Sequence, residues 1–106
     1  MKALVAAATA AAAAGPLPVE VSGSGELASA IREALGVEHE AAERPGTIVE
    51  TTGEVPEMQA VLARVRDLGT VVLAAAPAQD GKKLDLYADL HVRGLTVVGV
   101  CAPPPE

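Results

Sequence analysis

TIVETTG (Thr47–Gly53), TVVLAAA (Thr70–Ala76) and LTVVGV (Leu95–Val100) are runs rich in β-branched and apolar residues, without the alternation of a half-exposed strand. A strand with water on one face alternates apolar and polar residues; a strand covered on both faces has no need to. Helical periods separate these runs. Met58, Val61, Leu62, Val65 and Leu68 recur at helix spacing, with Pro56 in the first turn and Gly69 as the stop. Leu27, Ile31, Ala34 and Leu35 do the same ahead of Gly36. Lys2–Ala14 reads as a helix stopped by Gly15 and Pro16, and Pro18–Ser22 as a short buried strand. Val37–Glu40 is a candidate second strand, and Leu84–Val92 a short helix ending at Gly94. This alternation implies an α/β fold: a mostly parallel sheet of about five strands flanked by helices. At 106 residues there is room for one domain, spanning 1–106. Trp and Phe are absent and Tyr87 is the single aromatic, so the core must be built from Val, Leu, Ile and Ala.

The formal charge of −6 argues against DNA or RNA as a partner, because neutralising phosphates takes clustered Lys and Arg. Cys101 is the only cysteine, which precludes an internal disulfide and favours a reducing compartment. The opening MKALVAAATAAAAAGPLP has the outline of a secretory leader, a basic residue followed by small apolar ones. Yet it is mostly Ala, a weak hydrophobe and a strong helix former. The expectation is a cytoplasmic protein, with secretion as the alternative if Met1–Ala14 is a signal peptide. The stretch is shorter than the ~20 residues of a membrane span, so no membrane association is expected. His39 and His91 are far apart, and no Cys/His/Asp set has metal-ligand spacing, so both read as surface residues or as residues behind a site, and no zinc site is expected.

Between the first strand and the next helix stands VEVSGSGELA. Val21, Gly23, Gly25 and Ala28 match V-x-G-x-G-x-x-A, the fingerprint of a dinucleotide-binding turn. Gly23 would permit the tight turn, Gly25 would let a pyrophosphate approach the backbone, and Ala28 would let the helix lie close to the strand. The helix N-terminus would then offer free N–H groups to phosphate. The expected architecture is a minimal Rossmann-like sheet. Glu26 stands within the phosphate turn, where a carboxylate could cap the helix by itself and would repel a pyrophosphate, or could point outward at little cost. An acid roughly 20 residues after the first glycine should meet the ribose hydroxyls. Glu38, Glu40 and Glu43 lie there, and Glu40 is selected because it follows the best short strand; such an acid favours NAD over NADP.

The second half, TIVETTGEVPEMQAVLARVRDLGTVVLAAAPAQDGKKLDLYADLHVRGLTVVGV, resembles the medium-chain, zinc-type alcohol dehydrogenase family from its fourth strand to its sixth. LVAAATAAAAAGPLPVEVSGSG is similar to the helix and first strand of that family's cofactor domain. The likeness covers nearly the whole chain. It implies that Gly23, Ser24, Gly25 and Glu26 surround a pyrophosphate. It puts Thr51, Thr52 and Gly53 beside the ribose and brings Ala74, Ala75 and Ala76 toward the nicotinamide. It also implies a strand order 2-1-4-5-6 in family terms and a homodimer along Leu95–Val100. The family's catalytic domain and zinc ligands have no counterpart here, and the interval between Gly36 and Thr47 is too short for its usual strand-helix-strand. Two functions follow as expectations. One is an NAD(P)-binding, dehydrogenase-like domain, truncated and not catalytic alone, working with a partner subunit. The other is a non-catalytic interaction module that keeps the Rossmann shape. A decayed fragment with no selected role is a third.

Overall fold

The computed structural model describes residues 2–37, 44–74 and 93–100. The helices are α1 (Lys2–Ala13), α2 (Glu26–Leu35) and α3 (Val55–Arg64); the strands are β1 (Val19–Ser22), β2 (Thr47–Glu50), β3 (Thr70–Leu73) and β4 (Thr96–Gly99). The strands form one parallel sheet in the order β1-β2-β3-β4. This is the expected Rossmann-like α/β arrangement, with four strands among the described residues rather than about five. The expected helix Leu84–Val92 lies outside the described residues. So does the candidate second strand apart from Val37, which belongs to the end of α2. There Gly36 takes φ 71°, and the amides of Gly36 and Val37 donate to Glu33 O and Arg32 O. This left-handed cap satisfies the last carbonyls of the helix.

The continuous apolar strands have the reason inferred for them. Val21, Val49 and Val72 share one row of the register and pack against Ala8, Ala12, Ala28 and Ile31 of α1 and α2. Ile48 and Val71 point to the other face, where Val61, Leu62 and Val65 meet them. Successive side chains of one strand thus enter different cores, and both must be apolar. Glu20 shares the row of Ile48 and Val71 and is buried, its carboxylate bonded at 2.5 Å by Arg64 of α3. Alanines on α1 and α2 let the helices lie close to the sheet without aromatic filling. No helix among the described residues is long and apolar enough to cross a membrane.

The third helix is shorter than its apolar period suggests. It stops at Arg64: Val65 is extended with ψ 142°, and Leu68, read as part of the buried stripe, stands at φ 65° and is exposed. Tertiary hydrogen bonds take over from helical ones. Arg66 N donates to Pro45 O at 3.0 Å and Leu68 N to Arg93 O at 2.9 Å. The Arg93 guanidinium donates to Leu62 O and Val65 O, carbonyls that a longer helix would have used itself. Among the described residues β4 occupies the sheet edge, as its place in the chain predicts, with Val97 more than a third exposed.

Candidate functional site

The glycine turn leaves the carboxyl end of β1 and opens α2, at the end of a parallel sheet where ligands of such folds bind. Gly23 adopts φ 119°, and a Cβ there would lie 2.2 Å from Thr51 Oγ1. Both facts demand glycine, by dihedral and by space. Thr51 comes this close because its hydroxyl donates to Ser22 O at 2.7 Å, tying the end of β2 to the end of β1. Ala28 is fully buried, and its Cβ would be 3.6 Å from one added at Gly23, so the helix does lie against the turn.

Gly25 is a different case. It is the N-cap of α2, at φ −83° and ψ −173°, a backbone open to any residue. A Cβ there would meet nothing within 4 Å, and no side chain caps the helix. N-cap positions favour Ser, Asp, Asn or Thr, whose side chains bond the free amides, and accept Gly, which leaves those amides open. Here the first amides of α2 are left uncapped beside open space. Glu26 follows in the first turn, exposed, and its carboxylate accepts no hydrogen bond among the described residues.

Two supports of the site, one under the glycine turn and one under the turn after β2, were not anticipated from the sequence. Arg32 reaches back from the last turn of α2 and donates to Val21 O at 2.8 Å and to Gly23 O. A cation near a helix C-terminus ordinarily signals only a favourable dipole contact, so nothing in the sequence reveals this grip. Glu50, fully buried, accepts from Thr52 N at 2.7 Å, Thr52 Oγ1 at 2.5 Å and Gly53 N at 3.0 Å. Its signal was present in ETTG, a carboxylate followed two and three residues later by amides that a turn leaves free.

Together these elements bound a cleft of about 360 Å³ lined by Gly23, Ser24, Thr52, Glu54 and Glu57. That is within the size range of small-molecule sites. Of the expected site residues, Gly23, Ser24 and Thr52 line it, and Gly25 and Glu26 lie alongside in the turn. Thr51 is engaged with Ser22, and Gly53 and Ala28 are buried behind. Ala74 is buried in the core, while Glu40, Ala75 and Ala76 lie outside the described residues. Glu54 and Glu57, from the start of α3, were not anticipated and make the cleft acidic. A larger groove of about 680 Å³ runs between α1 and α2, but its walls are Ala and Val apart from Lys2 and Thr9, with no converging polar groups. No cluster of His, Cys, Asp and Glu among the described residues could hold a metal ion.

Fold and turn together define a class, a small Rossmann-like parallel α/β domain with a glycine turn at the end of its first strand. Comparison with known proteins goes no further: no family model, curated protein or solved structure matches the chain.

Proposed function

We propose that the cleft at the carboxyl ends of β1 and β2 receives the diphosphate of an NAD(P)-type dinucleotide. In this reading the chain is a cofactor-binding, dehydrogenase-like domain that does not catalyse alone. The observation that carries it is Gly25, a glycine that neither its dihedrals nor its neighbours require, left at an uncapped helix N-terminus. A side chain there would occupy the approach to the α2 amides. Gly23, Ser24 and Gly25 would hold the diphosphate against those amides, and the Arg32 charge under the turn adds to the attraction. The bound nicotinamide would supply hydride transfer; the chain's own part is to bind and orient it. The likeness to medium-chain dehydrogenases agrees, and a partner subunit would then bring the catalytic groups.

Glu54 and Glu57 in the cleft, with Glu26 beside it in the turn, would oppose the phosphates, so the expected affinity for NADH is weak, on the order of 0.1–1 mM. Calorimetric titration tests this. Glu26→Ala should tighten binding roughly threefold, the modest gain of removing one exposed like charge. The purified chain should not oxidise simple alcohols, and zinc-dependent turnover by it would overturn this assignment. The same three carboxylates favour a second reading, an interaction module that has kept the turn but lost the ligand. That reading predicts no heat of binding with NAD or NADH in the wild type or in Glu26→Ala.

A further inference from the structure

The opposite, amino-terminal end of the sheet carries features the fold does not require. Leu17 is 74% exposed and Leu68 78%. Leu68 is also the one non-glycine residue at positive φ among those described, at 65°. Leucine seldom takes this conformation, and glycine or asparagine would fit the turn better. The backbone of this turn is fixed by Leu68 N donating to Arg93 O, while the largely exposed side chain rests one edge over Gly94, where a Cβ would lie 2.7 Å from Leu68 Cδ2.

The two leucines are brought to one end by stitched loops. Thr47 Oγ1 donates to Pro16 O at 2.7 Å, Arg66 N to Pro45 O at 3.0 Å and Thr70 N to Gly46 O at 2.9 Å. A Cβ on Gly46 would lie 2.7 Å from Leu17 O and 2.9 Å from Arg66 Nη2, so Gly46 sits between the Leu17 backbone and the Arg66 guanidinium. Arg44 and Arg66 are exposed, and neither side chain makes a hydrogen bond or ion pair among the described residues. On a chain of net charge −6, two arginines unpaired among the described residues, beside exposed leucines, are a local excess of positive charge within the described structure.

We propose that Leu17, Leu68, Arg44 and Arg66 form a docking surface for an acidic peptide segment with apolar anchors, such as one face of an amphipathic helix. Leucines would give the anchors their apolar contact, and arginines, which are enriched at interfaces, would meet the carboxylates. The overall negative charge sets an anionic membrane or a nucleic acid against this surface, whereas a short peptide feels mainly the local field. The proposal is independent of the cofactor reading, since it concerns the other end of the strands.

The test is a titration of the ¹⁵N-labelled chain with a synthetic helical peptide of Glu and Leu. A peptide with Lys in place of Glu and phosphatidylserine vesicles serve as the other arms. The expected result is salt-sensitive amide shifts around Leu17, Arg44, Arg66 and Leu68, with the Gly23–Glu26 turn unmoved. Leu68→Gly relaxes the left-handed turn and leaves the fold intact; it and Arg66→Glu should each weaken peptide binding roughly tenfold. No shift up to ~1 mM peptide, equal binding by Leu68→Gly, an equal response to the lysine peptide, or shifts with vesicles alone would each overturn the proposal.

Discussion

Gly23 and Gly25 are two residues apart and do opposite things. At Gly23 an added methyl would meet both an unfavourable φ of 119° and Thr51 Oγ1 at 2.2 Å. Gly23→Ala should therefore lower stability by about 2–3 kcal/mol, read as a lower denaturation midpoint. Leu68 makes the converse case. Its left-handed backbone costs about 1 kcal/mol and its exposed side chain returns little. Leu68→Gly should raise the unfolding free energy by about 0.5–1 kcal/mol, the strain relief being partly offset by the freer unfolded chain. A loss of stability in that variant would mean that the Leu68 side chain packs in a way that its exposure belies.

Elements here end where tertiary bonds replace helical ones. Arg93 holds the last turn of α3 through Leu62 O and Val65 O and meets Asp67 at 2.8 Å. Arg93→Ala should cost about 1–3 kcal/mol and raise hydrogen exchange in that turn first. On the same helix, the Glu20 carboxylate hydrogen-bonded to Arg64 raises its guanidinium above the ordinary value. A raised basic group contributes stability below its unfolded pKa and loses it only as pH climbs through the higher folded one. Arg64 therefore stays charged throughout the working range. The strands and the glycine turn were legible because their causes are local: β-branched runs, a glycine register and a helix period. The end of α3 was not, because its period continues through Leu68 while Pro45 O and Arg93, both distant in sequence, claim the backbone. Arg32 and Glu50 escaped for a related reason, since the partners of Arg32 lie nine and eleven residues away and ETTG reads equally well as a simple turn.

At the scale of the whole molecule, β4 is an uncovered edge among the described residues, its Val97 is exposed, and the middle of the strand has no Lys, Glu or Pro. Such an edge invites pairing with another chain. A two-fold dimer through Leu95–Val100 should form at high micromolar concentration, and Val98→Pro should dissolve it by removing a ladder donor. Light scattering that finds a monomeric wild type would dismiss this interface, and a dimer that survives Val98→Pro would place the contact elsewhere. If the proposed function holds, the mouth of α2 is kept open for a ligand and not for folding. Gly25→Val, followed by both chemical unfolding and NADH calorimetry, addresses it most directly. The account predicts that the variant unfolds within about 1–2 kcal/mol of wild type, the cost of a poorer N-cap residue with nothing within 4 Å of the new Cβ, and loses the NADH signal completely. NADH heats that are the same in wild type and Gly25→Val, or a variant that unfolds several kcal/mol earlier, would contradict it.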